Sequence, residues 1–347
     1  MARPTGTLAR AVARVAVGAG LVAILAGCGA PAAKEPTTLT LYNGQHVQTT
    51  DSLVAGFEKQ TGIQVEVRSN DEDVLADQIV QEGKSSPADL IYTENSPALE
   101  YLQGQNLLAP VPKPTLERVA SKYNSPKGEW VGVSARVSVM VYNTRLLRAS
   151  QLPTSVMQLA DPRWKGLLAI APGETDFQPI ITSIVRSYGR AAALQWLEAI
   201  KANAEQHVYP DNETITSMVN SGQATVGIIN HYYWYRLRAE IGASQMHSAI
   251  AYFAPRNSGY VLDVSGAAVL KSSRHQAAAD KFLAFLVSHK GQEILAHSDS
   301  FEYPLGSGVV TAQPLRPFAS LQPASLTIAE LGDGAEAVAL LHQAQLL

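Results

Sequence analysis

The sequence predicts an α/β protein, and three features carry that reading. Short apolar runs alternate with amphipathic segments in βαβαβα order through the first third of the chain, a pattern that builds a largely parallel sheet. Each of the three helical segments stops at a glycine, Gly62, Gly83 and Gly104, as helix C-termini favour. The chain has 347 residues, enough for two domains or lobes with a substantial core.

The N-terminus reads as a processing segment, to be set apart from the fold. Arg3, Arg10 and Arg14 give it a positive front, and an apolar stretch follows from Val15 to Ala26. That stretch is too short and too rich in Ala and Gly for a spanning helix. It ends in Leu25-Ala26-Gly27-Cys28, and Cys28 is the only cysteine. The pattern resembles a bacterial lipoprotein signal over residues 1–27, with lipid added to the Cys28 sulfur and the chain held at the cell membrane, extracytoplasmic or periplasmic. Residues 28–36 are small and Pro-containing and read as a tether.

From Thr38 the elements follow in order. Residues 38–42, 63–67 and 88–92 alternate as strands; residues 51–60, 73–82 and 96–103 have helical apolar spacing. Ser134 to Tyr142 is a strand expected to cross into a second lobe. Residues 177–188, 191–201, 212–220 and 276–289 read as helices, Val226 to Ile229 as a short buried strand, and Ala249 to Phe253 as a second hinge strand. The tail from Ala324 packs on the second lobe.

Composition removes several function classes. Lys and Arg number 27 against 30 Asp and Glu, with no polybasic run, so nucleic acid is not an expected partner. A single cysteine rules out internal disulfides and cysteine metal sites. No second apolar run is long enough to cross a membrane, so the chain is not a channel. No Gly-x-Ser-x-Gly elbow or His-Glu-x-x-His is present, so no hydrolase nucleophile can be named; the chain is expected not to be an enzyme.

The chemistry concentrates at strand ends, where ligands bind in such sheets. Asn43-Gly44-Gln45-His46 follows the first strand and Thr93-Glu94-Asn95 the third. Two adjacent phenols, Tyr232 and Tyr233, follow the run Val226-Gly227-Ile228-Ile229. Residues at i,i+1 do not share a helix face, so these two converge only where the backbone turns, as at a strand-to-helix junction. A phenol keeps its proton to about pH 10; losing it at neutral pH needs a strong Lewis acid. A hard trivalent ion takes oxygen donors of this kind. His46, Glu94, Tyr232 and Tyr233 together would offer three negative charges and a neutral nitrogen, a set that suits Fe(III) better than zinc.

Leu41 to His46, Ser86 to Glu94, Ile229 to Trp234, and Ser265 to Ser273 resemble the periplasmic ferric-ion-binding proteins of bacterial ABC importers. The likeness runs through Glu302-Tyr303-Pro304-Leu305 and covers nearly the whole mature chain. The resemblance implies a two-lobe periplasmic binding protein type II fold with two hinge strands. Its lobes would be residues 37–136 with 254–302, and 137–253 with 303–347. It implies Fe(III) in the cleft, held by His46, Glu94, Tyr232 and Tyr233, with a phosphate or carbonate anion in members that use one. It also implies delivery to an ABC permease by a monomeric receptor.

One stretch departs from the family pattern. Gly173-Glu174-Thr175-Asp176-Phe177 stands where anion-using relatives cradle the anion with small hydroxyl and glycine residues. Two readings stay open. Glu174, with Asp176 second, supplies an oxygen or replaces the anion's charge; or both acids face solvent ahead of the helix at 177. Asn212 and Asn230 match anion-contacting positions, Asn95 stands where Gln is common, and Arg136 matches a cleft arginine. The alternative function is a receptor of the same fold for an organic solute such as a polyamine, thiamine or a phosphonate, which gives no reason for His46, Glu94 and paired tyrosines to occur together.

Overall fold

The computed structural model describes residues 37–306 and 308–347. The predicted signal, the tether and Cys28 lie outside the described residues. The first half carries β1 (Thr38–Gly44), α1 (Val47–Thr61), β2 (Gln64–Ser69), α2 (Glu72–Glu82), β3 (Leu90–Thr93), α3 (Ser96–Gly104), a single turn α4 (Lys113–Leu116) and β4 (Val131–Asn143). Then follow β5 (Leu168–Ala169), α5 (Gln178–Tyr188), α6 (Arg190–Ala204), α7 (Asn212–Ser221), β6 (Val226–Asn230), α8 (His231–Ile241) and β7 (Ser248–Ala251). The chain closes with β8 (Leu262–Val269), α9 (Gln276–Leu286), α10 (His289–His297), β9 (Tyr303–Pro304), α11 (Ile328–Leu331) and α12 (Ala335–Gln343). Among the described residues no helix is long and apolar enough to cross a membrane.

β4 organises the molecule. All 13 of its residues are buried, and it changes partner midway. Residues 131–137 pair antiparallel with β8, which pairs antiparallel with β3. Residues 138–142 pair antiparallel with β6. The strand path β2-β1-β3-β8-β4-β6-β5 thus passes from one half of the molecule to the other through a single strand. Apolar side chains fill both faces: Leu39, Leu53, Phe57 and Phe282 on one side of the crossing, and Ile184, Trp196, Leu197 and Ile228 on the other.

Several expectations change here. β1 runs parallel to β2 and β3, and β5 to β6, but the remaining pairings are antiparallel. The sheet is mixed, because β4 and β8 carry the chain out and back in opposite directions. The return strand is β8 rather than residues 249–253: β7 stays with Met140–Asn143 of β4. β8 is hard to read as a strand because it carries Gly266-Ala267-Ala268. A Cβ at Gly266 would stand 2.7 Å from Leu99 and 3.0 Å from Trp130, so close packing asks for small residues. The helix expected over 276–289 divides at Ser288, whose Oγ accepts from Gly291 N at 3.1 Å as the cap of α10. The tail divides too. β9 pairs with Ser134 and Ala135, so residues 303–304 sit beside the β8 half of β4 and not with the second lobe. α12 packs on α5 and α6, and Lys201 Nζ donates to the carbonyls of Ala344 and Gln345 at 3.0 and 2.9 Å.

The irregular pairing of β4 at Gly132–Ser134 leaves a tight spot. A Cβ at Gly132 would stand 2.2 Å from the Tyr123 carbonyl oxygen, and backbone cannot move aside cheaply. Gly132→Ala is expected to destabilise the protein by about 1–3 kcal/mol, read as a lower urea midpoint; an unchanged midpoint would refute the close approach.

Candidate metal centre

β1, β3 and β6 end at the same cleft, of about 500 Å³. His46 is the residue before α1, held there by Gln45, whose Oε1 accepts from His46 N at 2.8 Å. Glu94 lies between β3 and α3. Tyr232 and Tyr233 occupy the first turn of α8, directly after β6 stops at Asn230. That junction solves the adjacency problem. The two rings lie 4.1 Å apart between centroids, and both hydroxyls donate to Asp176 Oδ2, at 3.1 Å from Tyr232 and 2.9 Å from Tyr233.

His46 Nδ1 lies 2.5 Å from Glu94 Oε1. Tyr232 OH donates to Glu94 Oε2 at 3.4 Å, and the His46 ring meets the Tyr232 ring edge-on at 5.0 Å. The four residues singled out in the sequence are therefore brought together. Among the described residues no group of three His, Cys, Asp or Glu converges as a metal site; a centre here depends on the phenols.

The anion-site candidates separate. Asp176 is buried, and its Oδ2 accepts from both phenol hydroxyls and, at 3.3 Å, from Asn212 Nδ2. Asn95 Nδ2 reaches Asp176 Oδ1 and Thr175 Oγ1, each at 3.1 Å. Glu174 lines the open cleft, half-buried. Burial, then Asp176 and Glu94, raise its pKa to about 9, so it is a neutral acid at pH 7. Asp176 faces inward against the phenols, whereas Glu174, just ahead of the turn at Thr175–Phe177, faces the open cleft. Asn230 ends β6, buried beside the phenols and opposite Ser138.

Arg136 sits at the centre, with no exposed surface. Its Nη1 lies 3.4 Å from Glu94 Oε2 and 3.7 Å from Asp176 Oδ1, and its Nη2 donates to Glu302. Its guanidinium also stands 5.2 Å from the Tyr232 ring centroid, a cation–π distance. Arg136 thus lies inside the cleft and not on the surface. Burial alone would raise the Glu94 carboxyl, but His46 and then Arg136 hold it well below its usual range. Burial, then Asp176 and Glu94, push both phenols well above 10. The phenols are therefore neutral donors here, and any cation that takes their oxygens must displace two protons.

Three participants were not anticipated. Glu302 is wholly buried and also accepts from Ser134 Oγ and, at 3.4 Å, from Gln45 Nε2. Its signal was present: a lone acid in the apolar run Phe301-Glu302-Tyr303-Pro304-Leu305 must find a buried partner. Arg236 follows Tyr232 by four residues, a helical neighbour, and its Nη1 lies 3.5 Å from His46 Nε2. Glu72 accepts from Asn95 N at 2.8 Å and Asn95 Nδ2 at 3.0 Å, and burial raises its pKa to about 8. His231 turns away from the cleft; its ring stacks on Tyr303 and its Nδ1 accepts from Val137 N.

Residues 85–323 match the family model for bacterial extracellular solute-binding proteins. The chain is 38% identical over 333 residues to the Fe(3+)-binding periplasmic protein of Serratia marcescens, covering 94% of this chain and 98% of that protein. The chain belongs to the ferric-ion-binding protein family of bacterial solute-binding proteins. It is similar also to the major ferric iron-binding protein of Neisseria meningitidis serogroup A, at 37% identity over 93% of this chain and 97% of that one. Its structure is similar to that of iron-bound HitA from Pseudomonas aeruginosa, with a TM-score of 0.85 and 39% identity over 89% of this chain and 99% of that one. The fold is accordingly the two-lobe type II architecture, with β4 as the strand that pairs in both halves. Like its relatives, this family member is a binding protein and not an enzyme.

Removing one member of a buried ion pair leaves the other charge uncompensated. Glu302→Gln is expected to destabilise the metal-free protein by about 3–5 kcal/mol, measured by urea unfolding. A loss below about 1 kcal/mol, the scale of an exposed pair, would show that Arg136 does not depend on Glu302.

Proposed function

We propose that this chain is an exported, lipid-anchored receptor that binds Fe(III) between its lobes and delivers it to an ABC importer. The observation that carries the reading is the meeting of two neighbouring phenols with Asp176, Glu94 and His46 in one cleft. The ligands are His46 and Glu94 from the lobe of β1 and β3, and Tyr232 and Tyr233 from the lobe of β6. Asp176 adds an oxygen donor and takes the place of a synergistic phosphate or carbonate. Three points support that last assignment: its burial, its position against both phenol oxygens, and the repulsion a carboxylate exerts on an anion. Asn95, Asn212 and Thr175 orient it, and Asn230 supports the phenol-bearing turn. Arg136 holds the metal-free cleft together and, with His46, keeps Glu94 ionised for the incoming cation.

The lobes are read as residues 37–136 with 254–302, extended through β9, and residues 137–253 with the segment of α12. The chain acts as a monomer, anchored by lipid at Cys28 on the outer face of the cell membrane. The support for the anchor is the leader's own pattern, Leu25-Ala26-Gly27-Cys28.

Tyr232→Phe with Tyr233→Phe is expected to abolish both iron binding and the visible phenolate-to-iron charge-transfer colour. Iron uptake surviving in that variant would remove the reading and leave the organic-solute receptor. In buffer free of phosphate and carbonate the parent is expected to bind iron, and Asp176→Asn to bind it only after phosphate is added. A parent that needs phosphate would sink the role given to Asp176.

Protons and iron compete for the same atoms. Burial would lower the His46 pKa, but Glu94 outweighs it and the pKa lies above 6.5. The sign for the metal-free fold follows. His46, raised, stabilises fully below 6.5 and loses this as pH rises through its folded value; Glu94, lowered, stabilises above 4.5 and loses this as pH falls. Iron binding runs the other way at the upper end: its affinity is expected to rise with pH, and loading to release at least the two phenol protons. Chelator competition between about pH 5 and pH 8, with proton release followed in a pH-stat, checks both; flat affinity or no released proton would refute the ligand set.

A further inference from the structure

The strands of the first sheet present opposite charge at their two edges. At the carboxyl edge the iron cleft is lined by Asp71, Glu72, Asp73, Glu94, Glu174 and Glu213. At the amino edge stand four cations: Lys59 in the last turn of α1, Lys84 after α2, and Lys271 and Arg274 after β8. The registers Thr38↔Gln64 and Leu90↔Val269 place these connections at one end of the sheet. All four cations are exposed. None forms an ion pair among the described residues.

The acids at this edge are already engaged. Glu58 accepts from Val65 N at 2.9 Å. Glu82 accepts from Tyr42, Gln78 and Ser86. Asp89 accepts from Thr40 N at 3.0 Å and Ser273 Oγ at 2.6 Å, and its Oδ1 lies 3.3 Å from His275 Nδ1. Lys84 and Arg274 line one cavity of about 310 Å³ with Thr38, Ser272, His275 and Asp89, the Asp89 carboxylate being already engaged by Thr40 N, Ser273 and His275. α9 opens beside it at Gln276 with no side chain capping its first turn, which adds free backbone N–H groups to an anion-favouring place.

We propose that this edge docks on anionic phospholipid headgroups, with the cavity between Lys84 and Arg274 taking a headgroup phosphate. The choice of lipid over another anion follows from the chain's own connectivity. Thr38 lines the cavity, and the nine residues 28–36 that precede Thr37 reach at most about 30 Å when fully extended. The proposal thus rests on the Cys28 anchor proposed above. An anchored receptor carries its basic edge to within reach of the surface by construction, where each Lys or Arg is attracted by anionic lipid. The acidic cleft at the other edge is then held away from the headgroups that would repel it. Between deliveries the receptor rests with its cleft toward the iron source.

The anchored chain on phosphatidylglycerol vesicles, compared with phosphatidylcholine vesicles, tests this by hydrogen exchange. Mass spectrometry of the Cys28 peptide first decides the anchor separately. Where Cys28 is unmodified, its sulfur, the only thiol in the chain, is coupled to a maleimide lipid, so the docking surface is tested whichever way the anchor falls. Slower exchange over residues 83–87 and 271–276 is expected on the anionic vesicles alone, and its loss at high salt. K84E/R274E is expected to weaken that protection roughly tenfold or more. K84Q/R274Q, which adds no new charge, is expected to lose it in smaller measure. An unchanged iron titration shows that each variant folds. Equal exchange on the two lipids, or protection that survives both variants, overturns the proposal. Protection by inorganic phosphate alone, with none added by the anionic vesicles, overturns its assignment to lipid.

Discussion

A single buried guanidinium decides how this molecule is put together. Arg136 lies on the strand shared by both halves and has no contact with water. Burying such a charge costs many kcal/mol unless it is paired and hydrogen-bonded. Its partners come from three distant places: Glu94 after β3, Asp176 before α5, and Glu302 before β9. Those positions are separated by 82 and 126 residues in sequence, and only the pairing of β4 with both halves of the sheet brings them together. The fold and the cleft are therefore one electrostatic problem. The carboxylates that compensate the Arg136 charge are the same ones that shape the cleft.

The surroundings of Arg136 explain the state of the cleft without a metal. Glu302 and Glu94 are not equivalent. Glu302 is tied to Ser134 and Gln45 as well as to Arg136, so it is the permanent counter-ion. Glu94 and Asp176 are held at longer range, 3.4 and 3.7 Å, and share themselves with His46 and the phenols. A trivalent cation would outbid a guanidinium for those two carboxylates and for the phenol oxygens. The metal-free arrangement is thus a set of hydrogen bonds and ion pairs that a stronger cation can replace atom for atom, at the cost of displacing protons.

The same arrangement ties binding to the relation between the lobes. Asp176, Tyr232 and Tyr233 belong to the β6 half, while His46, Glu94 and Asn95 belong to the β1 and β3 half. Hydrogen bonds already run between the two sets, from Asn95 to Asp176 and from Tyr232 to Glu94. A ligand that strengthens these contacts favours the closed arrangement by its differential affinity for it.

The sequence by itself determined much. Local alternation and helix-stopping glycines were enough for β1 through α3, because each of those elements buries an amphipathic face close to its neighbours in sequence. The two adjacent tyrosines at the end of an apolar run were enough to predict a strand-to-helix junction, which β6 and α8 form; reading them as oxygen donors took His46, Glu94 and the family resemblance as well. His46 and Glu94 followed from strand ends and from resemblance. Tertiary structure alone decided the rest. β8 and its return path could not be read, since Gly266 and its alanine neighbours show no periodicity, and Leu99 and Trp130 leave no room for a side chain at Gly266. Which of Glu174 and Asp176 meets the phenols depended on how the turn at Thr175–Phe177 sets its side chains. Glu302 had no meaning until Arg136 was seen buried beside it. Periodicity records how a segment meets the nearest layer; pairing between charges far apart in the chain leaves no local trace, because it exists only once the strands have crossed.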